Sequence, residues 1–189
     1  PEAERHELSV INPLVLQLLW NRGIKTQAEI ETFLAPDWSR DVLPPSGFSR
    51  MGEAVARIFS ALEAGQHITV HGDYDADGVC GAALLMGVLQ DIASSLLRAE
   101  EGRGGNSEAT LSVFLPHREK DGYGLAVATV EHLHQHEKTN LIITVDCGVS
   151  SNDAIARAAE LGIDVIICDH HPDPPASHRL RGSKSDSGT

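Results

Sequence analysis

The sequence predicts an α/β protein: a parallel sheet with flanking helices, preceded by a short helical segment. Three observations carry that prediction. From residue 67 onwards, apolar runs of strand length alternate with stretches of helical periodicity. No hairpin signal separates the runs, so successive strands require right-handed crossovers and a parallel sheet. Three of the runs also end in Asp or His at their C-terminal edge, the edge along which open parallel sheets bind ligands.

The elements follow in order. Pro13 to Asn21 reads as a short helix ending near Gly23, and Thr26 to Leu34 as a second that stops before Pro36. Thr26 and Glu29 have the spacing of a capping box. Asp37 to Phe48, rich in Pro and Ser, is expected to be a loop. A helix then runs from Ser49 to Gly65, with Met51, Val55, Ile58, Phe59 and Leu62 at helical spacing. Strands are expected at 67–71, 111–115, 140–145 and 163–168, with helices at 78–95, 124–136 and 151–161 between them. The resulting division is a helical lead-in over 1–65, an α/β domain over 66–171 and a disordered tail over 172–189. A flexible, Gly-rich insertion is expected at 100–109.

His71-Gly-Asp-Tyr-Asp-Ala-Asp-Gly78 is the densest chemical signal. Asp73, Asp75 and Asp77 alternate, which on an extended backbone places them on one face. Like charges at that spacing raise one another's pKa values, and a hard divalent cation such as Mg²⁺ or Mn²⁺ relieves the conflict through oxygen ligands. The stretch also reads as an Asp/Gly-rich turn with Asp77 as helix N-cap. The sequence argues against a calcium loop of the EF-hand type, because the twelfth position from Asp73 is Leu84 rather than Glu. Downstream, the run ending Asp146-Cys-Gly148 and the run ending Cys168-Asp169-His170-His171 bring further ligand types to the same expected edge. That convergence favours a metal site over a turn.

Composition narrows the classes. The 189 residues, 41% of them apolar, suffice for one sizeable core. No apolar stretch approaches the roughly 20 residues of a membrane span and no signal peptide is visible, so a cytoplasmic protein with no membrane partner is expected. Cys80, Cys147 and Cys168 form no CxxC pair and read as reduced, buried thiols. The net charge of −12 argues against a generic nucleic-acid binder, so a bound strand would need a local basic path such as Arg118 and Lys120. His132, His134 and His136 read as the solvated face of a polar helix end.

At this point four motifs carry a resemblance: Gly72-Asp-Tyr-Asp-Ala-Asp-Gly78, Pro116-His-Arg-Glu-Lys-Asp-Gly-Tyr-Gly-Leu125, Thr144-Val-Asp-Cys-Gly148 and Asp169-His-His171. The lead-in fits as well, with Asn12-Pro, Leu18-Leu-Trp-Asn-Arg-Gly23 and Phe33-Leu-Ala-Pro36. The chain resembles the amino-terminal part of a RecJ-type single-strand-specific exonuclease, a member of the DHH phosphoesterase superfamily. The resemblance covers residues 10 to 171.

The resemblance implies two divalent ions, Mn²⁺ or Mg²⁺, and degradation of single-stranded DNA from its 5′ end in recombination and repair. A single-strand-binding protein or a helicase would be a further partner. It implies His71 and Asp75 on the first metal, with Asp73 able to fill or support the role of His71. Asp77 and His170 would hold the second metal, and Asp146 would bridge both. His171 would face the scissile phosphate, Asp169 would orient a ligand imidazole, and Arg118 and Tyr123 would contact substrate. Two departures stand out. The superfamily's further downstream Asp has only Asp173 and Asp186 as counterparts, and the chain diverges at Pro172, as in a truncated form. Two alternatives therefore remain: a DHH phosphoesterase acting on short oligonucleotides or cyclic dinucleotides, and a non-catalytic binding scaffold.

Overall fold

The computed structural model describes residues 11–100 and 108–172, with side chains up to Arg98 in the first of these segments. Contacts divide the chain into two compact units at Met51/Gly52. Most of the expected insertion and tail, with Asp173 and Asp186, lies outside the described residues.

The first unit holds α1 (Pro13–Asn21), α2 (Gln27–Leu34) and α3 (Trp38–Asp41). Pro13 occupies the first turn of α1, where a missing N–H costs nothing, and the Asn12 side chain caps it by accepting from the Leu14 amide at 2.9 Å. The capping box of α2 is present. Glu29 N donates to Thr26 Oγ1 at 3.3 Å, and Thr26 N donates to Glu29 Oε2 at 2.9 Å. The expected 37–48 loop contains α3 and a 3₁₀ turn at Pro45–Gly47. Asp37 nucleates α3, its carboxylate accepting from the amides of Ser39 and Arg40.

In the second unit α4 (Met51–Glu63) precedes β1 (His67–Gly72), α5 (Ala76–Glu100) and β2 (Thr110–Phe114). α6 (Val127–His132), β3 (Leu141–Val145), α7 (Asn152–Glu160) and β4 (Asp164–Cys168) complete it. The sequence grouped α4 with the lead-in, but Ile58, Ala61 and Leu62 pack into the core of the sheet unit. The expected helix over 124–136 begins later and changes character. Gly122 and Gly124 keep φ at 76° and 81°, and a π-turn over Leu133–Glu137 follows α6.

All pairings are parallel, in the order β2-β1-β3-β4. Side chains alternate between the two faces. Ile68, Val70, Leu141 and Ile143 meet α4 and α5 on one face, while Ile142 meets Val130, Leu133, Ala154 and Ala158 on the other. The chain therefore leaves β1 and β3 towards opposite faces, which makes the gap between their C-terminal ends the topological switch point of the sheet. Register sharpens this placement. Gly72 pairs with Val145, which pairs with Cys168, so Asp73, Asp146 and Asp169 all emerge at one level.

Two expectations need correction. Helix α5 contains a 23-residue stretch, Ala76–Arg98, long and apolar enough by length and composition to cross a membrane. The sequence reading missed it because scattered polar residues break the apolar run. The helix packs Ala82 and Leu89 into the sheet core. All three cysteines are free, but only Cys147 is buried. Cys168 lies on the edge strand β4 and Cys80 on an exposed side of α5.

Candidate metal centre

The acidic loop is shaped by close packing rather than by extended alternation. The strand ends at Gly72, and the Asp73 amide donates to Val145 O at 3.2 Å, closing β1 onto β3. The chain then turns into α5. Asp75 is its cap: Oδ1 accepts from the amides of Asp77 at 2.9 Å and Gly78 at 3.1 Å. The cap expected at Asp77 is thus two residues too late. Asp77 sits in the first helical turn, where its charge complements the helix dipole, with its side chain 76% exposed.

Asp146 leaves β3 with φ at 63°, a left-handed conformation that Asp tolerates better than most residues, and its amide donates to Cys168 O at 2.8 Å. This turn brings its carboxylate back over the sheet edge. Ligand atoms of Asp73, Asp75 and Asp146 lie within 4.8 Å of one another, as do those of Asp146, His170 and His171. Asp146 belongs to both groups. His170 Nε2 lies 2.9 Å from Asp146 Oδ1 and 3.7 Å from Asp77 Oδ2, so Asp77 borders the second group.

The donor set suits divalent cations. Asp73 Oδ1 and Asp146 Oδ1 are buried without a hydrogen-bonding donor, and His170 Nε2 approaches the latter without hydrogen-bond alignment. Orphaned carboxylate oxygens of this kind are costly unless an ion satisfies them. Burial first, and then the charges of Asp77 and Asp75, raise the Asp146 pKa, against the pull of His170 and His171. A bound cation would reverse that direction. Oxygen donors joined by one or two imidazoles match Mn²⁺ or Mg²⁺ more closely than a soft thiophilic ion.

His71 is in neither group. Its fully buried ring stacks on Phe114 at 5.5 Å between centroids, and Nδ1 lies 3.5 Å from Cys147 Sγ. Burial lowers its pKa despite the charges of Asp73 and Asp121. The carboxylate that groups with those of Asp75 and Asp146 is that of Asp73, while His71 Nε2, like Asp73 Oδ1 and Asp146 Oδ1, is buried without a hydrogen-bond partner. Burial also pushes the Cys147 thiol up to about 12, which leaves it a poor ligand.

Asp169 holds His171 rather than His170. Its Oδ1 accepts from the His171 amide at 3.0 Å and lies 2.7 Å from His171 Nδ1, while Oδ2 accepts from the Val149 amide at 3.0 Å. Burial pushes Asp169 up, but those amides and the imidazole outweigh it and leave its pKa below the ordinary value. The bond to Asp169 raises the pKa of His171. The Asp169 contribution to stability is present above its unfolded pKa and is lost as pH falls through the lower folded value. The His171 contribution is complete below the unfolded imidazole value and is lost as pH rises through the higher folded value. In metal-free protein, Asp169→Ala should therefore lower the thermal midpoint most between about pH 4 and 6.5, with the gap narrowing on either side. Melting curves across pH check this.

Tyr123 also reaches the centre. Its hydroxyl lies 3.1 Å from His171 Nδ1 and donates weakly to Asp146 O at 3.5 Å. The ring stands edge-on to His171 at 5.9 Å, and burial pushes the phenol up to about 12. The Arg118 guanidinium stands over the Tyr74 ring, 5.3 Å from its centroid. Tyr74 thus ties Arg118 to the acidic loop, a role not singled out in the sequence although it lies between Asp73 and Asp75. Lys120 belongs to the turn that starts at His117, its amide donating to His117 O.

The chain is similar to known proteins. The DHH family, N-terminal domain, matches residues 67–185. The single-stranded-DNA-specific exonuclease RecJ of Thermus thermophilus is 34% identical over 162 residues, covering 85% of this chain and 20% of that protein. The Escherichia coli RecJ is 32% identical over 159 residues, covering 84% of this chain and 24% of its own length. The chain thus spans about a fifth to a quarter of these relatives. A crystal structure of exonuclease RecJ bound to manganese superposes with a TM-score of 0.51 at 38% identity, over 64% of this chain and 27% of that one. RecJ from Thermus thermophilus in complex with Mn²⁺ gives 0.50 at 29% identity, over 83% and 19%. With its sheet, its Asp-His-His segment and its acidic loop matched together, the chain belongs to the DHH family.

Proposed function

We propose that this chain carries the metal-binding residues of a phosphodiesterase that degrades single-stranded DNA from its 5′ end. The observation that carries the reading is Asp146, buried between two ligand groups that can each hold a cation. Asp73 and Asp75 would hold one divalent ion with Asp146, and His170 the other, with Asp77 in support. A pair of such ions supplies an activated water and neutralises the phosphate oxygens. The fit to Mn²⁺ is supported by the manganese-bound RecJ structures.

The surrounding side chains take their roles from geometry. Asp169 fixes the His171 ring through Nδ1, which leaves Nε2 to donate a proton to the phosphate or the departing oxygen. Its raised pKa favours the charged, donating form. Tyr123 approaches the same Nδ1 with its hydroxyl and stands edge-on to the ring. Arg118, held over Tyr74, offers the local cation that a chain of net charge −12 needs in order to bind a phosphate backbone.

The test is hydrolysis of 5′-labelled single-stranded DNA with Mn²⁺, beside a short oligonucleotide and a cyclic dinucleotide. The reading expects Mn²⁺-dependent release of mononucleotides from the long strand. Cleavage confined to the short or cyclic substrates would transfer the chain to the small-substrate phosphoesterases. No turnover with Mn²⁺ still bound would make it a binding scaffold.

A further inference from the structure

A second cluster of metal-ligating side chains lies outside the acidic centre, at the end of α6. His132 is the last residue of that helix, and His136 lies in the π-turn that follows. The wider turn leaves residues four apart almost in line, so both side chains project from one side. Their ring centroids are 4.8 Å apart at an interplanar angle of 43°. Both residues are exposed.

That separation is informative. Two imidazoles on one ion, with metal–nitrogen bonds of about 2.0–2.1 Å and an angle between square and tetrahedral, have centroids roughly 4.5–5.2 Å apart. Two contacts anchor the turn and the His132 ring. Leu133 is fully buried and its carbonyl accepts from the Thr139 amide at 3.3 Å, anchoring the turn. Phe114 packs against the His132 ring at 6.2 Å. His134 lies two residues from each, about half a turn out of phase with the pair.

We propose that His132 and His136 form a second metal site, for a borderline divalent ion of the zinc, nickel or copper class. An imidazole pair prefers such ions, whereas the carboxylate-rich centre prefers Mg²⁺ or Mn²⁺, so the two sites sort different metals. Among the described residues no third His, Cys, Asp or Glu completes a group with the pair, so water fills the remaining positions. The ion acts as a clip across the π-turn, joining α6 to the segment that enters β3. This site is independent of the proposed hydrolysis.

The test follows individual imidazole resonances of the whole chain during Zn²⁺ titration in saturating Mg²⁺. Resolved signals separate this pair from His170 and His171, which can also take zinc. His132 and His136 should shift together along one saturable curve, with His134 unmoved. In H132Q the saturable response of His136 should vanish, and in H136Q that of His132, while H134Q leaves both intact. The amide spectrum of each variant reports that the fold is retained. A His136 response unchanged in H132Q, or an equal response at His134, would overturn the proposal.

Discussion

Asp146→Asn is expected to remove metal binding and hydrolysis together. Its carboxylate is common to the two ligand groups, one with Asp73 and Asp75, the other with His170 and His171. An amide offers a neutral oxygen in place of the charge, so both sites weaken at once. Losing a mere supporting contact to a metal ligand costs roughly 10–100-fold in affinity, and losing a ligand shared by two ions should exceed that. The fold should survive. Burial and the neighbouring Asp77 and Asp75 already disfavour the charged form, so the apo variant relieves repulsion and melts no lower than the parent. Mn²⁺ calorimetry with a melting curve checks both halves. Retained Mn²⁺ affinity would show that Asp146 is not the shared ligand.

The second large effect is expected at Gly78→Ala. An added Cβ would lie 2.5 Å from the Asp73 amide nitrogen and 2.7 Å from its Cα and Cβ. Those are mostly backbone atoms of the acidic loop and cannot swing aside. Overpacking of this kind costs about 1–3 kcal/mol. Here it also displaces Asp73, so Mn²⁺ affinity should fall with stability. Gly87→Ala in the same helix is the control: an added Cβ meets nothing within 4 Å, and the gain in helix propensity is about 0.5–1 kcal/mol. Denaturant titrations of the two variants should move in opposite directions. A neutral Gly78→Ala would mean that the loop is not close-packed on its helix.

Sheet, strand positions and candidate site are largely legible in the sequence, for physical reasons that also mark the limits. Buried parallel strands are nearly continuous apolar runs, so 67–71 and 140–145 stand out, 163–168 reads the same way although it is an exposed edge strand, and their ends name Asp73, Asp146 and the Asp169–His171 segment. Capping chemistry is local, which is why Thr26 and Glu29 are readable. The surroundings of His71 are not legible, because periodicity alone does not say which strands flank it. Only the register against Phe114 and Thr144 settles that. Asp75 rather than Asp77 caps α5 because the chain turns immediately after Gly72, a tertiary constraint set by the Asp73–Val145 hydrogen bond. The reach of Tyr123 to His171 joins residues 48 positions apart and has no local signature, whereas Asp169 grips His171 across only two residues.

The same constraints explain why the centre is partly open. Asp73 and Asp146 are buried at the switch point, whereas the side chains of His170 and Asp77 are 71% and 76% exposed. A deep carboxylate layer and a shallow imidazole layer leave one side from which a phosphate can approach. Arg118 stands near that acidic loop through Tyr74.

Anomalous diffraction at the manganese edge, from crystals grown in saturating Mn²⁺, tests the central claim most directly. It should show density between the carboxylates of Asp73, Asp75 and Asp146, with a second peak bounded by Asp146 and His170. Crystals saturated with Mn²⁺ yet without anomalous density beside Asp146 would contradict the account.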